Sequence, residues 1–177
     1  MTVQDVASQP TASRAGFSST EFRSALGAFG TGVTVITSRG PKHAYGMTAN
    51  AFSSLSLDPP LVLVCVISGT TGAETIEQNG AFAVNILGAH QEPISRYFSS
   101  RDRPHGEAAF SEIPHESLVT GCPVLEGSAA YLDCRLADSH EAGDHIIFIG
   151  EVLAMGVDAD VEPLLFHGGT YCKLTKG

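Results

Sequence analysis

The sequence predicts a mainly β, single-domain fold with a few short helices, curled into a small barrel. Three observations predict it. Short apolar or alternating segments recur between Gly-rich turns, which is the pattern of many brief strands. Helical periodicity is confined to three short windows. A length of 177 residues without an internal repeat fits one domain.

The elements follow in order. Residues 1–16 are polar, rich in Ser, Thr and Ala, and without a period, so they are expected to form a flexible N-terminal tail ahead of one domain spanning 17–177. Ser18 and Glu21 have capping-box spacing, and Phe17 and Phe22 suit the accompanying hydrophobic staple. Phe22, Ala25, Leu26 and Phe29 then recur at i, i+3, i+4 and i+7, giving a helix with one apolar face that Gly30 and Gly32 stop. Residues 33–37 read as a short β-branched strand. Residues 61–67 are continuously apolar, as in a strand buried on both faces, and residues 81–87 are similar. Short helices are expected at 73–78, ended by Asn79-Gly80, and at 92–98, with Ile94, Tyr97 and Phe98 on one face. Residues 99–121, polar and punctuated by Pro104 and Pro114, read as a long surface loop or lid. Residues 131–136 alternate, with Leu132, Cys134 and Leu136 on one face. Residues 146–153 and 171–174 complete the strands.

Charge and composition narrow the function. The net charge is -9 and the ten Lys and Arg are scattered, so a nucleic-acid partner is not expected. The longest apolar run, residues 61–67, is too short to span a bilayer, and no signal peptide is visible. Cys65, Cys122, Cys134 and Cys172 form no CxxC pair and read as thiols in a reducing, cytoplasmic compartment. No GxGxxG follows a strand, and no Walker A, GxSxG or HExxH pattern occurs. His140 and His145 lie five apart with Gly143-Asp144 between them. That spacing does not put both rings on one helical face, so a turn between strands, and no metal site, is expected.

Several segments suit a ligand. The Phe29-Gly30-Thr31-Gly32-Val33 turn can present backbone N–H groups. Residues 46–56 place Thr48, Asn50 and three serines beside apolar residues, as a planar heteroaromatic ligand needs and as a hydroxyl-rich edge strand also shows; both readings stand. Thr70-Thr71-Gly72 precedes a short helix and suits either a phosphate or simple capping. Gly143-Asp144-His145 sets a titratable ring just before a strand.

Taken together and in order, these segments resemble the flavin reductase family with an FMN-binding split barrel, the reductase components of two-component flavin-dependent monooxygenases. The resemblance rests on Thr31-Gly32-Val33-Thr34-Val35, on Gly46-Met47-Thr48-Ala49-Asn50, on the run from Ser53 through Asp58-Pro59-Pro60 to Leu63, on Phe82-Ala83-Val84-Asn85, on Gly143-Asp144-His145 and on Gly168-Gly169-Thr170-Tyr171. It implies a split β-barrel homodimer that reduces FAD or FMN with NADH, with NADPH as the alternative, and passes reduced flavin to a monooxygenase. Thr31, Gly32, Val33, Thr48, Ala49 and Asn50 would line the isoalloxazine. Ser53 and Ser54 would meet the ring or ribityl chain, and Thr70 and Thr71 would approach the phosphate. The family often has Thr where this chain has Gly72, so one phosphate hydroxyl is missing. His145 and the long loop would form part of the nicotinamide site. The chemistry implied is hydride transfer between stacked rings, for which the protein supplies position and electrostatics. A different class, a flavin-binding carrier or sensor without turnover, stands as the alternative; His145 distinguishes them, because a carrier needs no nicotinamide site. A pyridoxal-phosphate oxidase of similar barrel lacks its cluster of basic phosphate ligands here.

Overall fold

The structure is a computed structural model and describes residues 16–40 and 44–174. Most of the expected tail, residues 1–15, lies outside the described residues. The chain opens with helix α1 (Ser19–Gly27). The Glu21 N–H donates to Ser18 Oγ at 3.2 Å, and the Ser18 N–H donates to the Glu21 carboxylate at 2.8 Å, which completes the capping box. The Phe17 and Phe22 rings lie 5.6 Å apart as the staple. The helix ends before Gly30, at an Ala28 cap. Its apolar face is left uncovered in the single chain: Phe22 and Leu26 are exposed, and Phe29 beyond it is 78% exposed.

Among the described residues twelve strands follow: β1 (Thr31–Gly32), β2 (Thr34–Arg39), β3 (Ala44–Ala49), β4 (Phe52–Leu57), β5 (Pro60–Ile67), β6 (Ala81–Ile86), β7 (His115–Ser117), β8 (Pro123–Leu125), β9 (Ala130–Ala142), β10 (His145–Val157), β11 (Leu165–His167) and β12 (Thr170–Cys172). Helices α2 (Thr71–Asn79) and α3 (Glu92–Ser99) flank β6. Seven strands pair antiparallel in the order β3-β2-β6-β9-β10-β5-β4, so β3 and β4 are the two edges. Only Asn50 and Ala51 separate them in sequence. Three Cα steps reach about 11 Å at most, so the opposite edges are drawn together and the sheet curls. The result is a mainly β barrel that stays split between β3 and β4.

Alternation then sorts the side chains. Ile36, Val62, Val64, Phe82, Val84, Cys134 and Phe148 fill the barrel, and α2 covers it through Ala73 and Ile76. Gly150 is required there, because a Cβ would come within 2.5 Å of the Phe82 ring. Outside the barrel a second cluster joins Val33, Val35 and Leu87 to Phe98 of α3, Phe110 and Leu164. Gly46 lets α3 approach β3, since a Cβ would sit 2.5 Å from the Phe98 ring.

The fully buried Asn85 pins this second layer. Its amide donates to the Val35 carbonyl at 3.0 Å and accepts from the Leu125 N–H at 2.7 Å. It is therefore a structural residue of the motif that contains it.

Two expectations change. Residues 61–67 are not buried on both faces: Val62, Val64 and Val66 are buried, whereas Leu61, Leu63 and Cys65 are half-buried and Ile67 is 55% exposed. Residues 99–121 are not a free lid. Ala109 and Phe110 are buried, Glu107 pairs with Arg39 at 3.1 Å, and β7 pairs with β8. The strands β9 and β10 also run 13 residues each, well past the alternating windows, because the ladder continues through polar residues at the hairpin tip.

Candidate functional site

The Asn50–Ala51 crossover organises the site. On one side of Asn50, a cavity of about 330 Å³ opens between the α1–β1 turn and the barrel mouth, with Phe29, Thr31, Gly32, Asn50 and Phe52 in its walls. On the other side, a cavity of about 260 Å³ lies between the end of β3, α3 and β12, walled by Val33, Thr48, Ala49, Asn50, Ser95 and Tyr171. The residues expected around a ring thus fall into two compartments that share Asn50.

Hydrogen bonds show which polar groups remain for a ligand. Thr34 Oγ1 donates to the Ala49 carbonyl at 2.7 Å, and Thr48 Oγ1 donates to the Ser95 carbonyl at 2.6 Å. Ser95 Oγ and Tyr171 Oη lie 2.8 Å apart. The Arg96 guanidinium stacks 4.8 Å above the Tyr171 ring and pairs with Glu92. Thr31 Oγ1, by contrast, is buried and has no hydrogen-bond partner. A buried hydroxyl left in this state costs free energy that a ligand with a polar edge would recover. Apolar walls with one such hydroxyl and an exposed Asn fit a planar heteroaromatic group such as flavin.

The strands β4, β5, β10 and β9 also present an outward face. Ile146 and Phe148 point into the barrel, so His145 and Ile147 point out. In the ladder, Ser53 pairs with Leu63, Leu63 with Ile149, Cys65 with Ile147, and Ile67 with His145. Ser53 and His145 therefore share one face over an apolar floor, with their strands about 10 Å apart at two strand spacings. Ser54, the next residue, points to the opposite face and is not brought to the same floor. His145 Nδ1 lies 2.7 Å from Asp144 Oδ1, and this hydrogen bond holds the Asp144 carboxyl below its ordinary value. Burial raises the Cys65 thiol on the floor.

Thr70 and Thr71 follow Ile67 at the same end of the barrel. The Thr70 hydroxyl accepts from the Ala73 N–H at 3.4 Å and donates to the Ile67 carbonyl at 2.8 Å, so it serves as the cap of α2. Thr71 is exposed. A Cβ on Gly72 would meet the Tyr45 ring at 2.7 Å, which explains why this chain has no Thr there.

Several wall residues escaped sequence reasoning. Ser95 sits within an apolar helix face, where its sequence offers no signal. Phe29 and Phe52 look like core residues until the split exposes them. The turn expected between His140 and His145 joins β9 to β10, and His140, paired with Ile147, shares the outward face of His145. Among the described residues, no group of three or more His, Cys, Asp or Glu is placed to hold a metal ion. No helix among them is long and apolar enough to cross a membrane.

Comparison with known proteins agrees with this geometry. Residues 26–175 match the model of the flavin reductase like domain. The FMN reductase (NADH) SmoA of Agrobacterium fabrum is 40% identical over 161 residues, covering 91% of this chain and 89% of that protein. HsaB of Mycobacterium tuberculosis, a reductase subunit of a flavin-dependent monooxygenase, is 40% identical over 152 residues, covering 85% of this chain and 79% of that one. The solved structure of the NADH:FAD oxidoreductase SgcE6 of Streptomyces globisporus, in complex with NAD and FAD fragments, superposes with a TM-score of 0.82 at 36% identity, covering 88% of this chain and 92% of that one. With a split barrel, a groove at the split and a matching model over most of its length, the chain belongs to the flavin reductase-like family.

Proposed function

We propose that this protein is an NADH-dependent flavin reductase that supplies reduced FAD or FMN to a partner monooxygenase. The observation that carries the reading is the presence of two features in one chain. One is a ring-sized groove with an unsatisfied Thr31 hydroxyl. The other is an apolar floor bearing an Asp144-oriented His145. Bound flavin supplies the hydride acceptor and bound NADH the hydride. The protein's part is to hold the rings in contact. Thr31, Gly32 and Asn50 wall the flavin groove, Val33, Thr48 and Ala49 line the adjoining compartment across Asn50, Ser53 adds a hydroxyl at the rim, and Thr71 with the start of α2 faces the phosphate. Thr70 contributes through capping that helix. His145, its Nδ1 engaged by Asp144, presents Nε2 to the nicotinamide carboxamide. The carboxylates on its face, Asp144 and the Asp138 beside His140, suit NADH better than the more highly charged NADPH.

Residues 17–177 act as one such unit, and the unit works as a homodimer. Exposed Phe22, Leu26 and Phe29, Leu57 at 97% exposure, and Met155 and Val157 on β10 are apolar surface that a second copy would cover. All four cysteines are free, as suits a cytoplasmic protein. Steady-state oxidation of NADH with FMN, FAD or no flavin tests the activity. Turnover that needs flavin is the expected result. Flavin binding without any turnover would instead favour a carrier. Light scattering tests assembly, and an 18.5 kDa species alone would rule out the dimer.

A further inference from the structure

The motif around Gly143 holds a second histidine that the reading above leaves unused. The β9–β10 ladder pairs His140 with Ile147 and His145 with Ala142. The two imidazoles are therefore diagonal neighbours on one outward face, about 7–8 Å apart at the backbone. Each carries its own carboxylate: His140 Nε2 lies 3.1 Å from Asp138 Oδ2, and His145 Nδ1 lies 2.7 Å from Asp144 Oδ1. The contacts leave opposite nitrogens free, Nδ1 on His140 and Nε2 on His145. An imidazole whose N–H points at a carboxylate presents a lone pair at its other nitrogen. The hairpin thus offers two oriented acceptors beside the half-exposed Ile147. The side chains of His140 and His145 are 57% and 39% exposed, so both are open to a ligand.

We infer that His140 is a second binding residue for the reduced nicotinamide, accepting a hydrogen bond from a hydroxyl of the ribose attached to it while His145 holds the carboxamide. The inference rests on the proposed use of NADH. The ligand chemistry is set by the acceptors: a ribose hydroxyl and a carboxamide N–H are both donors, and their spacing within a nicotinamide riboside is of the same order as that of the two rings. Asp138 fixes the ring as Asp144 fixes its neighbour.

The test compares three reductants on His140→Ala and on His140→Asn, whose amide oxygen falls near the position of Nδ1. NADH and reduced nicotinamide mononucleotide carry the ribose, and N-methyl-1,4-dihydronicotinamide does not. His140→Ala is expected to lower kcat/KM about 3- to 15-fold for the two ribosides, mainly through KM, and to leave the N-methyl compound unchanged. His140→Asn is expected to recover part of that loss, and flavin affinity should not move in either variant. Equal losses with all three reductants, or no loss with any, would overturn the inference. If the unaltered protein oxidises none of the three with flavin present, the proposed function fails instead.

Discussion

Replacing Thr31 with Val should change folding and flavin binding in opposite directions. The substitution keeps the branched shape and removes only the hydroxyl. That hydroxyl is buried without a hydrogen-bond partner. Leaving a polar group so costs about 1–3 kcal/mol. Thr31→Val relieves this, and at the lower end of the range the flavin-free protein gains about 1 kcal/mol. For a chain of this size that gain raises Tm by roughly 2–4 °C. With flavin bound, the same hydroxyl meets the polar edge of the ring, and its net worth is about 0.5–1.5 kcal/mol. Its loss should weaken flavin binding about 2- to 12-fold. Thermal unfolding of flavin-free protein gives the first number, and quenching of flavin fluorescence gives the second. A variant with lower or unchanged Tm and unchanged flavin affinity would refute the claim that this hydroxyl waits for a ligand.

Other outcomes follow from the same geometry. His145→Ala should lower kcat/KM for NADH about 5- to 150-fold while flavin titrations stay the same, as steady-state kinetics will show. Asn85→Ala should destabilise by roughly 1–3 kcal/mol in urea unfolding, because it leaves the Leu125 N–H unpaired in the core. Burial, reinforced by the nearby Asp133 carboxylate and Cys122, pushes the Cys134 thiol up to about 12. Mass spectrometry after alkylation at mildly alkaline pH should therefore find Cys134 unmodified in the native protein and labelled once it is unfolded.

The local features of this fold were legible in the sequence. The Ser18–Glu21 box, the alternation around Cys134 and the Asn79-Gly80 stop of α2 are signals written within a few residues. What sequence spacing leaves out is which strands meet. The edge positions of β3 and β4, and hence the split, depend on pairings with β2 and β5 that no local pattern reveals. The apolar run from Leu61 to Ile67 looks the same whether its second face meets the protein's own core or a surface awaiting a partner. The turn between His140 and His145 was legible, but that it brings both rings to one face depends on the hairpin register, which pairs His140 with Ile147. The groove was legible in part. Thr31 and Asn50 stand in recognisable motifs, whereas Ser95 reaches the wall only because Gly46 admits α3.

The proposed function depends on hydride moving from nicotinamide to flavin within this groove. Anaerobic rapid mixing of flavin-loaded protein with NADH, and with NADH carrying deuterium at C4, tests it most directly. Oxidised-flavin absorbance should be lost at the rate at which NADH is consumed, one for one, and more slowly with the deuterated donor. Flavin that stays bound and oxidised while NADH is left intact would contradict it.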